Sequence, residues 1–130
     1  MARKVVLAGA CRTAIGVMGG QFANTSAVEL GTIVIKEALK RAGVSPDQVD
    51  EVYMGNVIQA GNGQNPARQA AVYAGIPNEV PATTINVLCG SGLHCVNLAA
   101  KLIAAGDADI IVAGGMENMT MAPYMLRNGR

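Results

Sequence analysis

Asn86-Val87-Leu88-Cys89-Gly90-Ser91-Gly92-Leu93 stands between a β-branched run and a long apolar helical pattern. Residues 82–86 read as the end of a strand. Residues 91–105 read as a helix that Gly106 closes from its C′ position. Cys89 then sits at a strand-to-helix junction, just before the first free N–H groups of the helix. The positive end of the helix dipole and those donors favour a thiolate over a thiol. Gly90 and Gly92 leave the approach to the sulfur open and let backbone N–H groups come close to a bound carbonyl. A cysteine nucleophile that attacks an acyl group needs these features. A free cysteine is also among the most commonly buried residue types, where it acts as a small hydrophobe. The residues at this junction leave both readings open.

Outward from the junction the chain alternates between two periods. Residues 4–10 form a continuous apolar run of strand length, expected to be a strand buried on both faces. A loop with Gly16, Gly19 and Gly20 follows. Ser26-Ala27-Val28-Glu29 is a capping-box pattern opening a helix with one apolar face, basic residues near its end and Gly43 beyond it. Ser45-Pro46-Asp47 predicts a turn, and residues 51–58 predict a second strand. Residues 59–65 hold Gly61 and Gly63 but lack the further glycine of a dinucleotide fingerprint and the Gly-Lys-Ser/Thr of a phosphate loop. Pro66 suits the first position of a helix running to Ala74, which Gly75 and Pro77 stop. A fourth strand is expected from Ile110, released by Gly114-Gly115. The order β-α-β-α-β-α-β with short links implies an α/β fold, a mostly parallel sheet covered by helices on both faces.

The helix after Cys89 is apolar almost all round, so it is expected to be buried. His94, Asn97 and Lys101 give it one narrow polar stripe. His94 is the sole histidine, but on a helix opening at Ser91 it points away from the sulfur and reads as part of that stripe.

Composition narrows the class. The 130 residues are 51% hydrophobic but only 3% aromatic, so the core is built from Val, Ile, Leu, Ala and Met. The net charge of +1 and the lack of basic runs argue against nucleic acid. No apolar run is expected to span a membrane, and the opening Met-Ala-Arg-Lys is too short for a targeting segment. Cys11, Cys89 and Cys95 form no disulfide framework, no Cys-x-x-Cys and no metal-ligand spacing. A reducing, cytoplasmic setting and no metal are expected. A Val at position 87 lacks the glycine of an α/β-hydrolase elbow, and a papain-like site needs a different cysteine context.

The Asn86–Leu93 motif resembles the nucleophile motif of the thiolases, which make or cleave 3-ketoacyl-CoA thioesters. Three further stretches share the resemblance in family order. They are Ala10-Cys11-Arg12-Thr13-Ala14-Ile15-Gly16, Gly63-Gln64-Asn65-Pro66-Ala67-Arg68-Gln69 and Ala113-Gly114-Gly115-Met116-Glu117-Asn118-Met119-Thr120. Together they cover the chain from end to end. Cys11, Met18 and His94 depart from the residues usual in the family, at positions that bear on substrate preference rather than on the nucleophile.

The resemblance implies a three-layer thiolase-like fold, of which residues 1–120 hold an incomplete N-terminal half with four of its strands and a buried central helix. Residues 121–130 begin the family's loop-domain insertion. It implies an acetyl-CoA acetyltransferase in which Cys89 forms the acyl-thioester and its backbone N–H serves the oxyanion hole. Asn86, Gly90, Ser91 and Gly92 support that motif, while Gln64, Asn65 and Arg68 belong to a dimer-interface loop. The substrates implied are acetyl-CoA and 3-ketoacyl-CoA, with coenzyme A a substrate and no cofactor. The base and acid that complete the site lie in the family's C-terminal half, missing here, and the complete protein is expected to be a homodimer or homotetramer. Two other classes remain in view: a non-catalytic assembly module pairing through Gln64-Asn65-Pro66, and a condensing enzyme of fatty-acid or polyketide synthesis. Gln64-Asn65-Pro66-Ala67-Arg68 and Gly114-Gly115-Met116-Glu117-Asn118-Met119 favour a thiolase over the latter.

Overall fold

The computed structural model describes residues 3–129; residues 1, 2 and 130 of the two expected segments lie outside them. Six elements follow in order: α1 (Ala27–Ala42), β1 (Glu51–Gly55), α2 (Pro66–Tyr73), β2 (Ala82–Ile85), α3 (Ser91–Ala105) and β3 (Ile111–Gly115). Short 3₁₀ turns lie at Pro46–Gln48 and Met119–Met121. Among the described residues the three strands form one parallel sheet in the order β2-β1-β3, with Val52 opposite both Ala82 and Val112.

Local chemistry sets the helix ends as anticipated. The Ser26 side chain accepts from the Glu29 N–H at 3.1 Å, and the Glu29 carboxylate accepts from the Ser26 N–H at 2.7 Å. That bond holds the Glu29 carboxyl below its ordinary pKa. Gly43 ends α1 at φ 66°, where any other residue is strained. Pro66 opens α2, and Asn65, at φ 46°, caps it through the Arg68 N–H.

Period-two alternation then divides the sheet faces. Val52 and Met54 join Ile35, Leu39, Ala67, Ala70 and Ala71 in a core under α1 and α2. On the other face Gly55 abuts the first residues of α3. The result is helix, sheet, helix. Alanine and glycine make the layers thin: a Cβ on Gly31 of α1 would lie 2.4 Å from Met116 Sδ and 3.3 Å from Ala70 Cβ.

Four expectations are corrected. Residues 4–10 are not a strand, and Val6 and Leu7 are 69% and 79% exposed. A cavity of about 700 Å³, with Val5, Leu7, Ile111 and Ala113 among its lining, separates this segment from β3, so its backbone has no ladder partner. It is held beside the body instead by an Arg3–Asp109 ion pair, by Arg41 Nη1 donating to Ala10 O at 3.2 Å, and by Gly9 against Ala38 O. The expected four strands are therefore three. β1 ends at Gly55 rather than Ile58 because the next residues turn toward Glu117. Gly114 and Gly115 lie inside β3 instead of releasing it, since a Cβ at Gly114 would press on Met54 and one at Gly115 on Gly92 Cα, both at 3.3 Å.

The fourth correction concerns α3. It is apolar as expected, yet only Ser91, Cys95 and Ala99 are buried, and Leu93 is 68% exposed. Residues Leu88–Ala105 have a mean hydropathy of 1.3, apolar and long enough to cross a membrane by composition, which the sequence pattern had not suggested. Within this chain the helix lies along β1 and β3, and its outer face has nothing over it among the described residues.

The approach of α3 to the strand ends is the contact that positions Cys89, and it is testable. A Cβ on Gly55 would lie 2.7 Å from Ser91 Cβ and 2.9 Å from Gly92 N. Gly55→Ala is expected to cost about 1–3 kcal/mol, as overpacking does. Gly92→Ala, whose Cβ meets nothing nearer than 3.8 Å, is expected to cost less than about 1 kcal/mol. Denaturant midpoints of the two variants at equal m-values check the order.

Candidate active site

β2 delivers the chain to Asn86, whose side chain organises the turn. Its Nδ2 donates to Val57 O at 3.3 Å and its Oδ1 accepts from the Leu88 N–H at 3.1 Å. The second bond is an Asx turn, which a short amide side chain makes two residues on. Leu88 is thereby held at φ 56°, a left-handed conformation unusual for a branched side chain. Ser91 closes the turn from the helix side. Its Oγ accepts from the Val87 N–H at 2.9 Å and donates to Leu88 O at 2.6 Å. Two side chains, one from each side of Cys89, thus fix the backbone of Val87 and Leu88 just before it.

Cys89 is exposed and lies at a cavity of about 520 Å³. Leu88, Ile58, Met116 and Met119 give the cavity apolar walls, and Gly92 and Glu117 complete the part that matters here. Gly90 occupies the cap position of α3 in a helical conformation and has no side chain to satisfy the first-turn donors. The Ser91 N–H donates to Leu88 O at 3.0 Å, and the His94 N–H donates to Gly90 O at 2.8 Å. An uncapped helix start beside an exposed thiol is suited to hold negative charge on a bound oxygen.

The other two thiols differ. Cys11 is half-buried and its Sγ donates to Val34 O at 3.3 Å. Cys95 is fully buried, and burial pushes its thiol pKa up. The described residues contain no cluster of three or more His, Cys, Asp or Glu able to hold a metal ion.

Asn86, Gly90, Ser91 and Gly92 lie together with Cys89 in one turn. Gln64, Asn65 and Arg68 lie elsewhere, at the start of α2. There Asn65 Nδ2 donates to Ala82 O at 2.9 Å, and Asn65 Oδ1 accepts from Thr84 Oγ1 at 2.7 Å. Arg68 donates to Val80 O at 2.6 Å and also to Asn78 O. Asn65 therefore ties the start of α2 to β2 itself and Arg68 ties α2 to the segment leading into β2, whereas Gln64 is exposed. His94 is exposed and does not line the Cys89 cavity.

Sequence reasoning missed Glu117 and Asn56. Glu117 stood inside a quoted motif without a role, and only the fold shows that its carboxylate receives three donors from residues 56–58. A carboxylate two residues past a Gly-Gly strand end was the one available signal.

Residues 5–130 match the family model described as the thiolase N-terminal domain. An acetyl-CoA acetyltransferase of Syntrophomonas wolfei is 58% identical over 130 residues, covering 100% of this chain and 33% of the relative. One from Cupriavidus necator is 61% identical over 126 residues, 97% of this chain and 32% of the relative. A probable acetyl-CoA acyltransferase of Staphylococcus aureus is 51% identical over 127 residues, 98% and 32% respectively. The chain thus spans about a third of the length of these curated relatives. With a family model matched over nearly its whole length, the chain belongs to the thiolase family, in which it corresponds to the N-terminal domain.

Proposed function

We propose that this chain is the nucleophile-bearing N-terminal part of an acetyl-CoA acetyltransferase. The observation that carries the proposal is Cys89, exposed on a turn locked by Asn86 and Ser91, at an apolar cavity and an uncapped helix start. The Cys89 thiolate attacks the thioester carbonyl of acetyl-CoA, or the ketone carbon of a 3-ketoacyl-CoA. The carbonyl π electrons move onto oxygen, and the backbone N–H of Cys89 stabilises that charge. Collapse of the oxyanion expels the CoA thiolate in the first case and the acetyl-CoA enolate in the second. An acyl-Cys89 thioester remains. The acyl group then passes to the enolate of a second acetyl-CoA in condensation, or to CoA in thiolysis.

The deprotonating base and the acid for the second substrate belong, on this reading, to the remainder of a longer protein. Relatives about three times as long support that remainder. It supplies the strand that fills the cavity beside β3, covers the outer face of α3, and continues from residues 121–130 into a CoA-contacting insertion. The complete enzyme works in a reducing compartment as a homodimer or homotetramer, with the exposed Gln64 loop at an interface.

Reactivity among the thiols tests the nucleophile. Under limiting iodoacetamide, peptide mapping is expected to find Cys89 labelled first, Cys11 later and Cys95 last, following their exposure and the raised pKa of Cys95. First labelling at Cys11 or Cys95 contradicts the assignment.

Cys89→Ser in the full-length protein is expected to lower acetoacetyl-CoA cleavage by at least about three orders of magnitude with the thermal midpoint kept. Acetyl-CoA without a second acceptor is expected to leave an acetyl group on the Cys89 peptide, read by mass spectrometry, and none in the variant.

Residues 1–130 expressed alone are expected to show no turnover and to aggregate on size exclusion. A nucleophile separated from its base and acid loses nearly all of its rate advantage. The uncovered α3 and the free edge of β3 also present apolar surface and open backbone groups to other copies. A soluble monomer that cleaves acetoacetyl-CoA contradicts the division of labour proposed here.

A further inference from the structure

Glu117 lies just beyond the end of β3, where the Met116 N–H donates to Gly55 O at 2.9 Å and carries the β1–β3 pairing one step past the strand. This brings its carboxylate across from residues 56–58. Oε2 accepts from the Val57 N–H at 2.8 Å, and Oε1 accepts from the Ile58 N–H at 3.3 Å and from Asn56 Nδ2 at 3.0 Å. Asn56 is buried and also donates to Met116 O at 3.1 Å. The carboxylate therefore orients two successive peptide groups in a loop with no regular structure of its own.

The peptide so oriented is the one the nucleophile turn leans on. Val57 O accepts from Asn86 Nδ2 at 3.3 Å, and Asn86 Oδ1 accepts from the Leu88 N–H at 3.1 Å. Leu88, at φ 56°, precedes Cys89 directly. An unbroken chain of hydrogen bonds thus runs from the Glu117 carboxylate, through the Val57 peptide and the Asn86 amide, to the strained residue that aims the sulfur.

We propose that Glu117 is a positioning residue for Cys89, acting through Val57 and Asn86 on the conformation of Leu88. The proposal rests on the reading of Cys89 as the acylated nucleophile. Glu117 suits the task because an ionised carboxylate is an acceptor only and serves three donors on two oxygens. A glutamine keeps the shape but offers one oxygen, and its NH₂ faces an N–H donor. Moving the sulfur relative to the helix-start donors slows acyl transfer without altering how coenzyme A is held, since a displacement of about 1 Å is worth up to about 100-fold in rate.

The test uses the full-length protein and follows acetyl-Cys89 formation by quenched mass spectrometry over a range of acetyl-CoA concentrations. Glu117→Gln is expected to lower the saturating acetylation rate about 10- to 100-fold with the half-saturating acetyl-CoA concentration unchanged. Its rate of Cys89 alkylation by iodoacetamide, which needs no oxyanion geometry, is expected to match the wild type. Asn86→Ala, at an exposed residue that leaves the Glu117 bonds in place, is expected to slow acetylation similarly. The double variant is expected to be no slower than the slower single one, because both cut the same link. Acetylation at the wild-type rate in either single variant, or multiplying effects in the double, overturns the proposal. A rise in the half-saturating concentration without a fall in rate also overturns it. If Glu117→Gln fails to fold, Asn86→Ala alone still decides. Wild-type protein that never acquires an acetyl group on Cys89 overturns the nucleophile reading itself and this proposal with it, and so is distinguishable from a failure of Glu117 alone.

Discussion

The close contact between the start of α3 and the ends of β1 and β3 governs the rest of the structure. Two glycines on the strands make it possible. Gly55 faces Ser91, and Gly115 faces Gly92 Cα, each where a Cβ would be within 3.3 Å of the neighbouring helix residues. Helix axes usually stand off a sheet by the width of the intervening side chains. Removing those side chains lets the first turn of α3 sit almost on the backbone of the strands. The Cys89 turn is then clamped between β2, which leads into it, and the ends of the two neighbouring strands.

That clamp explains how a strained residue persists beside the candidate nucleophile. A leucine at positive φ costs on the order of 1–3 kcal/mol and survives only where its surroundings over-determine it. Here the Leu88 N–H is held by Asn86 and the Leu88 carbonyl by both the side chain and the backbone N–H of Ser91. The bonds that hold Leu88 come from within residues 86–91, and the Asn86 side chain that makes one of them is anchored in turn on the 56–58 loop. The site is thus assembled from the carboxyl ends of parallel strands, where helix dipoles and loops converge and open α/β sheets bind their ligands.

Two features of the chain carry burial patterns that the described residues do not satisfy. Residues 4–10 have the composition of a buried strand but lie beside a cavity, and α3 has the composition of a buried helix but shows its outer face. Hydrophobic patterning reports what a segment is built to be buried against, not whether that surface is present in the same 130 residues. The pattern therefore overestimated both the number of strands and the cover on α3, for one common reason.

By itself the sequence determined the elements whose ends are written in local chemistry. The Ser26–Glu29 box, Gly43, Pro66 and Gly106 set helix ends that the structure reproduces closely, because caps and turns depend on residues within one turn of each other. The grouping of Asn86, Cys89, Gly90, Ser91 and Gly92 was legible for the same reason, since all five lie in one turn. Tertiary structure alone decided what spans the chain. It brought Glu117 to Val57 and Ile58, about 60 residues apart, gave the Asn86 amide its partner at Val57, and bonded Asn65 to β2 and Arg68 to the segment before it. Hydrogen bonds between residues so distant in sequence leave no periodicity to read. They exist only once the parallel sheet has set the register that brings their backbones together.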